Sequence, residues 1–308
     1  EIELLVKMRS PFIISFIEAL KYETEIWVVM EYCACGSMKD IYALQRHGLN
    51  EDQVKDVVSF AVLGLHHIHN LRCLHRDVKA ANLLLSGDGV AKLADFGVSA
   101  ELDEGASTRH STVGSAHWMS PEMINGVGYD GSADIWSLGI TIIELVEGNP
   151  PNIKHNPRRS ITMTVTNPAP KLRNSNLWSA DMKDFVDRCL QKDPKHRANT
   201  RELLQHRWIN QTVQTLVINR GSILLKELFV TVNNLKLKLM EDYENSLLTP
   251  EQREAKAQAK IAAEEARLKA INDAEEAIRL KAIAEAEAEE ARLKLITEKK
   301  EAARLKAI

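Results

Sequence analysis

Two acidic residues and one amide residue lie in residues 75–97, in an order that suits phosphoryl transfer. Asp77 follows the apolar, helix-like run of residues 57–71, so its carboxylate can reach a substrate hydroxyl and accept the proton. Lys79, two residues further on, can steady the migrating phosphoryl group. Together with Asn82 and Asp95, these residues suit the handling of a metal-bound nucleotide triphosphate.

Asn82 and Asp95 offer oxygen ligands for a divalent cation. Mg²⁺ is a hard cation that prefers oxygen ligands and keeps several of its waters. Between the two residues, residues 83–85 and 90–93 are predicted to form short strands joined by the turn Gly87-Asp88-Gly89. We therefore expect this hairpin to bring Asp95 back beside Asn82.

The motifs of this region and of the following segment resemble those of the eukaryotic protein kinases. In chain order they are HRDVKAAN, DFG, SPE and DIWSLG, which begin at His75, Asp95, Ser120 and Asp134. The resemblance implies an α+β, protein-kinase-like fold with a mainly helical large lobe, a partial β small lobe and a long C-terminal helix. It also implies ATP and Mg²⁺ as cofactors and Ser or Thr hydroxyls of protein substrates as acceptors, in a signalling cascade.

Composition and charge argue against other classes of protein. The chain has 308 residues, of which 44% are hydrophobic, and a net charge of −3. A sizeable core is therefore feasible, and a nucleic-acid partner is not expected. No apolar run approaches the roughly 18 residues needed to cross a bilayer, and no signal peptide opens the chain. The four cysteines show no zinc-finger spacing, so a reducing, cytoplasmic location is expected.

The first residues resemble the end of the kinase helix whose glutamate pairs with the ATP-contacting lysine. Glu1 falls on that glutamate, and the lysine and the glycine-rich loop would lie upstream. We therefore expect the chain as given to be N-terminally incomplete and inactive or nearly so. The hydrophobic stack that runs through active kinases is matched by Leu5, Phe16, His75 and Phe96.

By the same resemblance, the adenine pocket lies between the two lobes. Met30 lines its back, and residues 31–33 form the hinge, whose backbone groups hydrogen-bond the adenine edge. Leu84 forms the floor of the pocket. The residues expected to bind the nucleotide are thus Glu1, Met30, Glu31, Cys33, Leu84 and Asp95.

Two clusters allow an alternative interpretation as metal sites. Cys33 and Cys35 form a pair, but a hinge offers only two thiols. His66, His67 and His69 cluster on a predicted helix, where sequence neighbours point about 100° apart and cannot easily share one ion. Packed or solvated side chains are favoured in both cases.

The segment of residues 95–122 carries the regulatory part of the prediction. Its sequence TRHSTVGSAHWMSPE resembles the sterile-20 group of kinases, whose pattern is close to RxTxxGTPxWMAPE. Ser111 falls on the phosphorylated position, with Thr112 as a second candidate, for an upstream kinase or for trans-autophosphorylation. A phosphate there adds about −1.5 to −2 charges and could pair with Arg76, ordering the loop. The alternative is a flexible polar loop.

Ser115 takes the place of the threonine that positions the substrate, and with Lys79 it marks a serine/threonine kinase. Ala116-His117 replaces a Pro-aromatic pair, and Ser120 replaces an alanine. These departures leave the substrate sequence preference open.

Three further residues are expected to support the site. Glu122 should form a buried ion pair with Arg197, which ties the end of the activation segment to the base of the lobe. Asp134 should accept hydrogen bonds from the backbone of the HRD loop and hold its shape.

Residues 167–209 narrow the resemblance to the Hippo-type (mammalian sterile-20-like) kinases, and residues 220–229 continue it. An apolar stripe then follows at helical spacing and could dock on the kinase, on a partner or on a second copy. Its residues are Leu224, Leu228, Val232, Leu235 and Leu239.

The remaining chain is predicted to form one long helix. Thr249-Pro250-Glu251-Gln252 has the features of a helix start with a capping box. The near-repeats of RLKAI that follow recur every 12 or 13 residues and sustain no heptad stripe. A solvated single helix is therefore favoured over a coiled coil.

Four regions are expected: a small-lobe remnant (1–32), the large lobe (33–209), an amphipathic helical extension (210–248) and a low-complexity helix (249–308). The main prediction is a serine/threonine kinase with Asp77 as base and with Asn82 and Asp95 as metal ligands. The rival is a catalytically dead kinase-fold scaffold that acts through its tail. The intact catalytic side chains favour the enzyme.

Overall fold

Helices dominate the structure, a computed structural model that describes residues 2–96, 100–101 and 114–305. The helices are α1 (Ile2–Lys7), α2 (Met38–Gln45), α3 (Glu51–Asn70), α4 (Pro121–Ile124), α5 (Ser132–Glu147), α6 (Pro157–Thr166), α7 (Ala180–Cys189), α8 (Thr200–Leu204), α9 (Asn210–Asn219), α10 (Ile223–Ser246) and α11 (Pro250–Leu305). The strands are β1 (Phe16–Tyr22), β2 (Glu25–Met30), β3 (Cys73–Leu74), β4 (Leu83–Leu85), β5 (Ala91–Leu93) and β6 (Ala100–Glu101). The predicted α+β fold class is confirmed.

The described strands pair into three antiparallel two-stranded sheets, β1 with β2, β3 with β6 and β4 with β5. The β1–β2 hairpin forms because two runs rich in β-branched and aromatic residues flank a short turn. Glu23 makes that turn with a positive φ of 52°. Several apolar side chains of the hairpin, including Ile26 and Trp27, are exposed.

Helices α3 and α5 form the centre of the hydrophobic core. The apolar residues of α3, which the sequence predicted from their helical spacing, are fully buried, and α5 buries nearly its whole circumference. Asn50 starts α3 with a reciprocal capping box to Gln53. Because both helices are buried in the core, the loops at their ends are held in place.

The helical extension after residue 209 packs differently from the predicted stripe. The buried residues of α10 are Leu225, Leu228 and Val232, which belong to the main hydrophobic core. Leu224 and Leu239 are 41% and 54% exposed, so these two members of the predicted stripe are not buried, and docking of the stripe on a partner stays a prediction. The spacing of three and four residues is compatible with two adjacent faces of α10. The face that contains Leu225 is the one that packs against the core.

The chain divides into two compact units, Glu1–Leu237 and Lys238–Ile308. In the second unit, α10 and α11 are linked by ion pairs from Lys256 to Glu244 and from Lys260 to Glu241. The predicted capping box is present, because the backbone N–H of Gln252 donates to Thr249 Oγ1 and the Gln252 side chain accepts from Thr249 N. In the part of the chain that is described, no helix combines the length and the apolar character needed to cross a membrane.

Candidate active site

The loop between β3 and β4 carries the predicted catalytic residues, and α5 determines its shape. Asp134, at the start of α5, accepts hydrogen bonds from the backbone N–H groups of His75 (3.0 Å) and Arg76 (2.7 Å). Arg76 has a left-handed backbone conformation with φ of 67°, which costs about 1 to 3 kcal/mol for a non-glycine residue. The bonds to Asp134 stabilise this conformation.

Asp134 also contacts α3. His69 Nε2 lies 2.8 Å from Asp134 Oδ2, so one buried carboxylate joins α3, α5 and the catalytic loop. Burial alone would raise the pKa of Asp134, but the bonds from His69 and from the backbone of His75 hold that pKa below its ordinary value. The carboxylate is therefore charged at neutral pH.

The carboxylate of Asp77 lies in a cluster of hydrogen-bond donors. Asp77 Oδ2 accepts from Lys79 Nζ (2.6 Å) and Asn82 Nδ2 (3.0 Å), and Oδ1 accepts from the backbone N–H of Ser115 (3.1 Å). Asp77 is buried, which by itself would raise its pKa, but these donors bring the pKa below its ordinary value. Asp77 is thus an ionised acceptor.

Ser115 and Lys79 close one side of this cluster. Lys79 Nζ donates to Ser115 Oγ at 2.9 Å as well as to Asp77. The preceding Gly114 has φ of +111°, and a Cβ atom there would lie 2.5 Å from the carbonyl oxygen of Arg76. Only glycine permits this close approach, which brings the Ser115 backbone to the catalytic loop.

The β4–β5 hairpin brings together the two predicted metal ligands. Leu83 pairs with Leu93, and the backbone N–H of Ala94 donates to the carbonyl of Asn82 at 2.9 Å. Asp95 follows directly, with an exposed side chain and a positive φ of 64°. The hairpin thus returns the chain to Asn82, as the turn sequence predicted.

The donor set fits a magnesium ion. Asn82 Nδ2 already donates to the backbone carbonyl and the side chain of Asp77, so the amide is oriented and its oxygen is available as a ligand. With the carboxylate of Asp95, this gives two hard oxygen ligands, a number typical of Mg²⁺ sites in which substrate phosphates and water complete the shell.

Glu144 is a site residue that the sequence reasoning missed. It lies on α5 and is 1% exposed, and it accepts hydrogen bonds from the backbone N–H of Ala80, Trp118 Nε1 and the Tyr42 hydroxyl. Burial raises its pKa. A carboxylate inside the apolar run Ile-Ile-Glu-Leu was the available signal. Glu144 joins α2, the catalytic loop and the segment after Ser115.

The predicted hinge connects β2 to α2. Glu31 accepts from Lys92 Nζ at 2.6 and 2.7 Å, which ties the hinge to β5. Leu84 packs against a small buried cluster that contains Cys33. Met30, the predicted back of the pocket, is 45% exposed. All four cysteines are buried thiols outside any disulfide.

Two of the predicted supporting pairs are in contact. Arg197 forms a two-armed ion pair with Glu122, with distances of 2.6 and 3.0 Å, and its guanidinium lies 5.3 Å from the centroid of the Trp136 ring. The rings of His75 and Phe96 lie 4.8 Å apart. Leu5 packs against the main core.

Of the residues in the regulatory prediction, Arg76 and Ser115 are described by the structure. Ser111, Thr112 and Glu1 lie outside the described residues. Arg76, the predicted phosphate partner, has Nη1 3.5 Å from the Tyr129 hydroxyl. The phosphorylation of Ser111 or Thr112 therefore stays a prediction.

Two of the three histidines on α3, His66 and His69, have side-chain partners in other elements. His66 Nδ1 lies 3.0 Å from Thr200 Oγ1, and His69 contacts Asp134. Among the described residues, no three His, Cys, Asp or Glu side chains converge in a way that could hold a metal ion. These contacts give both histidines packing roles.

The arrangement combines an ionised acceptor, an adjacent ammonium group and two oxygen ligands, which suits transfer of a phosphoryl group to a hydroxyl. Residues 1–209 match the family model described as the protein kinase domain. This match covers more than half of the chain and includes the whole catalytic loop.

Proposed function

Because the chain belongs to the protein kinase domain family, we propose that it is a serine/threonine kinase that transfers the γ-phosphate of ATP to protein hydroxyls. The sequence of the activation segment supports the sterile-20 group, and residues 167–209 support the Hippo type within it. Such a kinase would act in a signalling cascade, after phosphorylation of Ser111 or Thr112. A cytoplasmic location is supported by the four cysteines, which are all thiols.

The observation that carries the proposal is the hydrogen-bonded cluster of Asp77, Lys79 and Ser115. The low pKa of Asp77 keeps it ready to accept a proton, and Lys79 presents its ammonium group beside the same carboxylate. Ser115 contributes both its backbone N–H and its hydroxyl. A scaffold has no use for this arrangement, so the cluster favours catalysis.

In the proposed reaction, Asp77 orients the acceptor hydroxyl and takes its proton as the hydroxyl oxygen bonds to the γ-phosphorus of ATP. The bond from that phosphorus to the β–γ bridging oxygen breaks, and ADP leaves. Lys79 stabilises the negative charge of the phosphoryl oxygens, and Asn82 and Asp95 would hold Mg²⁺. When bound, the ion neutralises charge on the nucleotide phosphates. The hinge backbone after Met30 would bind the adenine.

The nature of the acceptor tests the proposal. The complete protein is incubated with Mg²⁺, labelled ATP and three peptides of one sequence that differ only in a central Ser, Thr or Tyr. We expect label on the Ser and Thr peptides and at least about a hundredfold less on the Tyr peptide. Transfer confined to the Tyr peptide would contradict the proposed specificity, and transfer to none would favour the scaffold.

A further inference from the structure

A segment beyond the family match packs on the same compact unit as the candidate active site. It consists of residues 222–236, which we call the strap, and it includes the first part of α10. Three of its side chains, Leu225, Leu228 and Val232, are buried in the core that also contains the apolar face of α3. The strap is therefore a built part of this unit.

The beginning of the strap is fixed to the turn between β4 and β5. The backbone N–H of Ser222 donates to the carbonyl of Gly89 at 3.0 Å, and Ser222 Oγ accepts from the N–H of Leu225 and donates to the buried Asp56 on α3. Gly89 has φ of +73°, and a Cβ atom there would lie 2.3 Å from the Ser222 carbonyl oxygen.

The ring of Phe229 lies near the same turn. A Cβ atom placed on Gly87 would lie 3.7 Å from Phe229 Cζ, which is ordinary van der Waals distance. This turn joins the strands that connect Asn82 to Asp95. The strap thus supports the hairpin that carries the proposed metal ligands.

The end of the strap contacts residues 34–35, which directly follow the predicted hinge (31–33). Lys236 Nζ donates to the backbone carbonyls of Cys35 (2.7 Å) and Ala34 (3.2 Å). Hydrogen bonds from a charged donor are stronger than those between neutral groups. The next residue, Gly36, links back to the site, because its N–H donates to the Cys33 carbonyl and its carbonyl accepts from Leu85 N on β4.

We propose that the strap is a positioning element for the nucleotide, with Lys236 as a positioning residue that acts through the hinge. One end of the strap contacts the turn of the β4–β5 hairpin, and the other end contacts residues 34–35 next to the hinge. One segment therefore contacts both parts of the proposed nucleotide site. The consequence for nucleotide binding rests on the proposed function, but the effect of Lys236 on the hinge does not.

Hydrogen exchange in the full chain tests the effect on the hinge. Lys236→Met removes the charged donor. Lys238→Met, at an exposed position two residues further along the same helix, is the matched control. We expect the amides of Gly36 and Leu85 to exchange about tenfold faster in Lys236→Met, and at the wild-type rate in Lys238→Met and Lys236→Arg.

Two exchange results would overturn the proposal. Equal exchange rates of the Gly36 and Leu85 amides in Lys236→Met and Lys238→Met would show that Lys236 does not stabilise the chain beside the hinge. Faster exchange throughout the core, including α5 and α7, would show a general loss of stability in place of positioning.

Nucleotide binding then tests the consequence. We expect Lys236→Met to raise the dissociation constant of Mg·ADP about tenfold and to leave kcat at saturating ATP within about twofold of the wild type. Unchanged affinity alongside faster hinge exchange would refute the positioning role. If the complete wild-type protein bound no Mg·ADP, the proposed function would fail, whereas the exchange comparison would still decide the effect of Lys236 on residues 34–36.

Discussion

Asp77 is held as a carboxylate by three donors from two parts of the chain. Lys79 and Asn82 follow it on the catalytic loop, and the backbone of Ser115 approaches from the activation segment. Because burial opposes ionisation, the donors together must exceed the cost of removing the carboxylate from water. Removing any one of them would therefore raise the pKa of Asp77.

The low pKa of Asp77 predicts a pH-dependent contribution to stability. The folded pKa lies below the ordinary value of 3.8, so the contribution is full well above pH 3.8 and is lost as the pH falls through the folded pKa. We expect the free energy of unfolding to fall less between pH 6 and pH 3 in Asp77→Asn than in the wild type. Urea titrations at each pH measure this, and parallel curves would contradict the assignment.

Asp95 allows a test of the metal ligands. Asp95→Asn removes one negative charge from an exposed position, so we expect the fold and the melting temperature to be unchanged within about 2 °C. Magnesium-dependent phosphate transfer by the complete protein should fall at least about a hundredfold. Asp88→Asn, in the turn of the same hairpin, is the control. Unchanged turnover in Asp95→Asn would contradict the role proposed for it.

The sequence identified the chemical groups of the site better than their backbone conformations. Asp77, Lys79 and Asn82 were predictable because their spacing is local. The left-handed conformation of Arg76 was not, since it is stabilised by a hydrogen bond to Asp134 on the distant helix α5. The role of Glu144 was missed for the same reason, because its three donors come from separate parts of the chain.

At the scale of elements, the ion pair of Arg197 links α4 to the loop after α7. The Arg197 side chain is fully buried, and it also donates to the carbonyls of Gln191 and Ser132. We expect Arg197→Met to lower the free energy of unfolding by about 3 to 5 kcal/mol, because Glu122 is left as an unpaired buried charge.

Arg201 provides the control for this prediction, since it is exposed on the neighbouring helix α8. Arg201→Met should change the free energy of unfolding by less than about 0.5 kcal/mol. Chemical denaturation of both variants measures the difference. Equal stabilities would show that the pair with Glu122 contributes little to the fold.

Elements with a strong local signal were predictable, and those chosen by packing were not. The β4–β5 hairpin follows from its Gly-Asp-Gly turn, and α3 from its apolar, helix-like run. The buried face of α10 could not be chosen from spacing alone, because Leu224 and Leu225 fit adjacent helical stripes equally well. Contact with the core decided for Leu225.

At the scale of the whole molecule, the compact unit extends beyond the family match. It reaches Leu237, whereas the match ends at residue 209, and the difference contains α9 and the strap. The buried side chains Leu225, Leu228 and Val232 account for this extension. A boundary drawn from the family match alone would divide the hydrophobic core.

Two truncations test where the stable unit ends. A chain that stops after Leu237 should keep the unfolding free energy of the first unit within about 1 kcal/mol. A chain that stops after Arg220 should lose at least about 3 kcal/mol, because three core side chains are removed. Thermal and urea denaturation compare the two. Equal stability of both chains would show that the strap adds nothing to the fold.

The central claim is that Asp77 is the proton acceptor of a phosphoryl transfer. Its most direct test is the rate of phosphate transfer from Mg·ATP to a Ser peptide by the complete protein and by Asp77→Asn, which is nearly isosteric. We predict a decrease of about 10² to 10⁴-fold in kcat, with nucleotide affinity unchanged within about threefold. A kcat equal to that of the wild type would contradict the claim.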